Sequence, residues 1–190
     1  MQQKWRVVLI HGLKASPDMN WFPWLRTELE TAGFEVIVPV MPEPEMPKPE
    51  EWVGEIKNAV GTPDKHTIFV GHSLGCPAIA SYLERLPEDV EIGGAIFVAG
   101  FATSLGRELI EPFVSRVFDF GRIVSHSPGK FFVIMSDNDR RVPLGASLDF
   151  ARSLAAETLL ESNKGHFRTR DGVSELPSVR DIVFRLAKAL

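Results

Sequence analysis

Residues 68–75 read Ile-Phe-Val-Gly-His-Ser-Leu-Gly, an apolar run that ends in Gly71-x-Ser73-x-Gly75 and passes into a helical pattern. A serine at a sharp strand-to-helix turn sits in strained backbone. Glycines two before and two after it remove the side chains that would crowd the turn. The free N–H groups of the following helix favour negative charge developing near the serine oxygen. Three fixed positions of this kind arise by chance in roughly one of 15 to 20 chains of this size, so the strand-turn-helix setting carries most of the weight. The chemistry implied is nucleophilic attack by Ser73.

A serine hydroxyl needs a base to take its proton, and that base needs an acid to orient it. In strand-turn-helix hydrolases the partners follow in the order Ser, acid, His. The stretch Met135-Ser136-Asp137-Asn138-Asp139-Arg140-Arg141-Val142-Pro143 offers two acids, Asp137 and Asp139, and Asn163-Lys164-Gly165-His166-Phe167 offers the base. Asp137 can alternatively bond nearby backbone amides and shape its loop. Asp137-x-Asp139 lacks the glycine and distal glutamate of a calcium loop. The oxyanion formed on attack needs donors. The amide of Leu74 is one, and the turn Ile10-His11-Gly12-Leu13 supplies a second, from Leu13. Among other candidates, His11 shapes this turn or faces the pocket, and Trp21 or Phe22 could floor an acyl pocket. His72 reads as a packing or polar-contact residue, His66 and His126 as solvated, and Cys76 as a small buried side chain. His11, His72 and His166 have no spacing that suggests a metal site, and no cofactor is implied.

These residues must be held by an α/β framework. Short apolar runs alternate with helical patterns, as in stacked βαβ units. Strands are predicted at Arg6–Ile10, Glu35–Val38, Thr67–Val70, Ala95–Ala99, Phe131–Met135 and Thr158–Glu161, continuous enough to be covered on both faces. Helices are predicted at Trp24–Ala32, Glu50–Val60, Leu74–Leu86, Leu105–Phe118, Gly145–Ala155 and Ser178–Leu190, the last with one apolar stripe. A mostly parallel sheet in the order 2-1-3-4-5-6 sets the first and third strands side by side where the winding reverses, opening a crevice beyond their ends. Pro39–Pro49 carries five prolines and reads as an extended surface connector. Phe101–Lys130 is the only segment long enough to act as a small lid.

The 190 residues fit a single domain spanning 1–190, with no internal repeat. The formal charge of −4 and the lack of a basic run argue against nucleic-acid binding. A lone cysteine fits a reducing compartment, and no apolar run approaches a membrane span or a signal peptide. A cytoplasmic monomer is the expectation.

His11-Gly12, Asn20-Trp21-Phe22-Pro23-Trp24-Leu25, Met41-Pro42-x-Pro44, Gly71-His72-Ser73-Leu74-Gly75-Cys76-Pro77-Ala78, Asp139-x-x-Val142-Pro143 and Gly165-His166-Phe167 together resemble the YdeN-like small serine hydrolases. The resemblance runs over nearly the whole chain. It implies a compact α/β-hydrolase fold without a large lid domain, a Ser73–Asp139–His166 triad, and activity of carboxylesterase type on small esters or amides. A vertebrate member of that family is named for binding the retinoblastoma protein through Leu-x-Cys-x-Glu. Here the stretch is Leu74-x-Cys76-x-Ala78, and that interaction does not carry over. The competing expectation is a binding protein that keeps the fold without the activity.

Overall fold

In the computed structural model, which describes residues 4–188, the apolar runs fail to alternate because successive strand residues feed two separate cores. In β1 (Arg6–Ile10), Val8 and Ile10 enter one core, while Val7 and Leu9 enter the other. The same division holds along β3 (Thr67–His72), β4 (Gly94–Val98) and β5 (Phe131–Ser136), all buried throughout. The first core is closed by α2 (Pro49–Val60), α3 (Gly75–Leu83) and α6 (Leu144–Ser153), and the second by α1 (Phe22–Thr31) and α7 (Pro177–Lys188). Two buried faces therefore sandwich one sheet, and each strand must be apolar at nearly every position.

With β2 (Glu35–Ile37) and β6 (Glu157–Glu161), the sheet has six strands in the order β2-β1-β3-β4-β5-β6, every neighbouring pair parallel. This is the α/β-hydrolase arrangement expected above.

The expectation of strands covered on both faces fails at the two edges. β2 is three residues long and half-exposed, and Leu160 in β6 is 53% exposed. Edge strands lack a neighbour on one side, and their apolar residues mimic a buried run without being one. The single helix predicted over Leu105–Phe118 is also absent. The chain instead forms two short helices, α4 (Glu111–Val114) and α5 (Phe120–Ser125). Pro112 is tolerated only in a first helical turn, so α4 begins beside it. Asp119 then caps α5 by accepting from the Arg122 N–H at 2.9 Å.

Residues 39–48 form a connector with no helix or strand, as expected, but it is anchored to the body of the protein. Met41 is fully buried, Pro42 O accepts from Trp52 Nε1 at 2.8 Å, and Pro44 O accepts from Lys14 N at 2.9 Å. The prolines are barred from ladder bonds, but their carbonyls and neighbours tie the segment down on the turn after β1. The final predicted helix appears as α7, with Leu190 outside the described residues. Among the described residues no helix is long and apolar enough to cross a membrane.

Candidate active site

Strand register brings the chemistry-bearing turns to one edge. Ile10 lies opposite Gly71, so the chain leaving β1 as His11-Gly12 arrives beside His72-Ser73. Ser136 lies opposite Glu161, so the acidic turn after β5 and the histidine turn after β6 leave the sheet together.

At the elbow, Ser73 has φ of 54°, a left-handed conformation that costs an L-residue of order 1–3 kcal/mol unless its surroundings impose it. Packing imposes it here. A Cβ on Gly71 would approach Ile79 Cδ1 at 2.9 Å and Cys76 Cα at 3.1 Å, and one on Gly75 would run into the Ile10 carbonyl oxygen. Backbone bonds from Ser73 N to Val98 O and from Cys76 N to Ser73 O, both 2.9 Å, lock the turn.

Ser73 Oγ lies 2.9 Å from His166 Nε2, and His166 Nδ1 lies 2.7 Å from Asp139 Oδ2. A carboxylate only accepts, so Nδ1 carries the proton and Nε2 is left to accept from the serine hydroxyl. Burial works to raise the Asp139 pKa. The His166 contact and the amides of Arg141 and Val142, which reach Oδ1 at 2.7 and 3.1 Å, outweigh it and hold the carboxyl below its ordinary value. Asp139, not Asp137, is the acid in contact with the imidazole. Asp137 instead accepts from the Asn163 N–H at 2.8 Å, and this bond is the main reason its pKa is lowered.

The histidine turn is wound by polar contacts. Ser136 Oγ accepts from Lys164 N at 3.0 Å, Asn138 Oδ1 from Gly165 N at 2.7 Å, and Asp171 Oδ2 from His166 N at 3.1 Å. Arg168 grips the same carboxylate through Nε at 2.8 Å and Nη2 at 3.0 Å. The sequence reading missed Asp171, Asn138 and Ser136. The available signal was the three-residue spacing of Arg168 and Asp171, which suits a local cap in the 3-10 turn Thr169–Asp171.

Gly12 is pressed so close to the elbow that a Cβ there would sit 3.0 Å from Ser73 Cβ. His11 is not a pocket residue, contrary to that expectation. It is buried behind the turn, where Nε2 accepts from the Met41 N–H at 3.2 Å and Nδ1–H donates to Gly12 O at 3.0 Å. Burial lowers its pKa, with the Gly12 carbonyl opposing, so the ring is held neutral. In a trans peptide the C=O and the next N–H point in opposite directions. Holding Gly12 O toward His11 therefore turns the Leu13 N–H away from the ring. Among the described residues neither the Leu13 nor the Leu74 N–H has a hydrogen-bond acceptor.

Trp21 and Phe22 do not floor the pocket either. Both are buried in the core beneath α1, and the Trp21 ring meets His72 edge-on at 5.9 Å. An aromatic pair just before a helix was drawn into the core by the helix it begins. His72 donates from Nε2 to the His166 carbonyl at 2.9 Å, and burial, then the His166 charge, push its pKa down to about 3. It stays neutral and supports the histidine turn from below. His126 is buried, with Nδ1 2.7 Å from Val90 O, and His66 is half-buried against Trp5, so neither is the solvated residue expected. Cys76 is buried with its thiol pKa raised by desolvation. Among the described residues no cluster of His, Cys, Asp or Glu is arranged to hold a metal ion.

Ser73 and His166 open into a cleft of about 610 Å³. Its walls include Leu13, Phe101, Leu105, Ile110 and Val142, so the segment after β4 forms one side of it.

A family model described as serine hydrolase matches residues 7–185. The YdeN protein of Bacillus subtilis (strain 168) is 36% identical over 179 residues, 94% of each chain. The crystal structure of the B. subtilis ydeN gene product superposes with a TM-score of 0.93 at 34% identity, covering 97% of this chain and all of that one. Est1E from Butyrivibrio proteoclasticus shares the fold at 12% identity, with a TM-score of 0.74 over 99% of this chain and 90% of its own.

Proposed function

We propose, for a chain that belongs to the serine hydrolase family, that it cleaves small carboxylic esters or amides through an acyl-enzyme intermediate. The observation carrying this reading is the unbroken series Ser73 Oγ, His166 Nε2, His166 Nδ1, Asp139 Oδ2, at 2.9 and 2.7 Å. Ser73 Oγ attacks the carbonyl carbon while its proton passes to His166 Nε2. Asp139 holds the imidazole in the tautomer with Nδ1 protonated and stabilises the imidazolium. The N–H groups of Leu13 and Leu74, which no other described residue engages, receive the oxyanion. Collapse of the tetrahedral intermediate breaks the bond to the alcohol or amine, which takes the proton from Nε2. Water then attacks the acyl-serine, giving its proton to Nε2, and the acid leaves with Ser73 restored. No metal or cofactor enters these steps.

A fluorophosphonate probe tests the reading. Wild-type protein should be labelled at Ser73 and should hydrolyse p-nitrophenyl butyrate. Ser73→Ala should lose labelling and about 10⁴-fold or more of kcat. Folded wild-type protein that neither labels nor turns over would favour a binding protein on the same fold.

A further inference from the structure

The distribution of arginines across the molecule is uneven. Of thirteen arginines, nine have a carboxylate within 4.0 Å. Among the described residues, Arg107, Arg140, Arg141 and Arg170 have none. All four line either the cleft above Ser73 or a smaller hollow that shares His166 with it, and Arg141 lines both. In a chain with a net charge of −4, the arginines without carboxylate partners gather in one region.

The cleft's other charges do not cancel them. Lys14 is engaged by Glu45 at 3.0 Å and Arg168 by Asp171, while the single acid among the lining residues, Asp18, is exposed at the rim. Arg107 and Arg141 are half-buried and both line the cleft, one following β4 and the other two residues past Asp139. Burial, then the nearby charges of Arg168 and Arg107, lower the Arg141 pKa from its ordinary value and outweigh the attraction of Asp139 and Asp171, and an anion between the arginines would relieve that repulsion. A guanidinium pairs bidentately with a carboxylate or a phosphate. The rest of the wall is largely apolar, which makes a singly charged carboxylate cheaper to bring in than a phosphate dianion.

We propose that the substrate of the site described above is an ester or amide bearing a second group, a free carboxylate, which Arg107 and Arg141 hold in the cleft beside Ser73. This rests on the hydrolase reading and adds the class of compound to it. Recognition of the remote carboxylate aligns the scissile carbonyl with Ser73 Oγ.

Matched fluorophosphonates test this. Each pair has one member ending in a methyl group and one of equal length ending in a carboxylate. In the first pair the chain is on phosphorus, and in the second it is on the alkoxy oxygen. Wild-type Ser73 should react about tenfold faster with the carboxylate member of at least one pair, the size expected of charge-assisted pairing. That ratio should fall toward one in the Arg107→Gln/Arg141→Gln variant, and in wild-type protein as ionic strength rises. Labelling of Ser73 with no preference for the carboxylate in either pair would overturn the anion site and leave the hydrolase reading standing. A ratio insensitive to both salt and the double substitution would also overturn it. No labelling by any member would overturn both readings.

Discussion

The elbow that holds Ser73 and the turn that holds His166 solve the same positioning problem by different physics. Ser73 lies between central, fully buried strands, and van der Waals exclusion sets its place: glycines at 71 and 75 admit Ile79, Cys76 and the Ile10 carbonyl where side chains would stand. His166 follows β6, an edge strand with exposed leucines, and the turn that leads to it is exposed or half-buried over residues 162–165. Its turn is held by side-chain oxygens of Ser136, Asp137, Asn138 and Asp171 that accept from four successive backbone N–H groups, residues 163 to 166. Packing is nearly all-or-none, because a close-packed interior cannot give way locally. A polar network gives way bond by bond. Substitutions near the elbow should therefore cost the fold, and those near the histidine should grade the activity.

Asp139→Asn should have the largest effect, about a 10⁴-fold fall in kcat at unchanged thermal stability within a few degrees, because the imidazole loses the acceptor that sets its tautomer. Next comes Gly75→Ala, for which the collision with the Ile10 carbonyl should cost about 4 kcal/mol or more, read as a lowered denaturation midpoint or as loss of soluble protein. A Gly75→Ala protein of wild-type stability would erase the contrast between the two regions.

Asp171→Asn should fall in the middle, with kcat down about 10- to 100-fold through misplacement of His166. This variant also has a pH signature. Hydrogen bonds from Arg168 are the largest cause of the lowered Asp171 pKa, with burial opposing. A carboxyl depressed in the folded state stabilises fully above its ordinary value of 3.8 and loses that contribution as pH falls through the folded-state pKa. The melting-temperature gap between wild type and Asp171→Asn should therefore be open at neutral pH and close below about pH 4. The smallest effect is expected from Asp137→Asn, less than about tenfold in kcat, since an amide oxygen still accepts from Asn163. If Asp137→Asn rather than Asp139→Asn abolished turnover, the acid would be misassigned.

What could be read from the chain follows the range over which each feature is encoded. The elbow is local, eight consecutive residues carrying strand, turn and helix signals at once, and the buried strands announce themselves by composition. The misreadings share a cause. Whether Trp21 faces a pocket or His72, whether His126 meets water or Val90, and whether Leu160 is covered depend on a neighbour far away in sequence. The break between α4 and α5 was legible in principle from Pro112 and Asp119, but an unbroken apolar pattern from Leu105 to Phe118 outweighed it.

The sequence by itself determined the α/β framework, the strained serine turn and the short list of acids and bases, because backbone sterics and hydrophobic periodicity act between near neighbours. Only the tertiary structure decided between Asp137 and Asp139 as the partner of His166, turned His11 from a pocket residue into the holder of the Gly12 carbonyl, and gathered the arginines without carboxylates around the cleft and the smaller hollow that share His166. Those outcomes depend on strand register and loop packing, which add small distances between residues up to a hundred positions apart, and no local pattern records that sum.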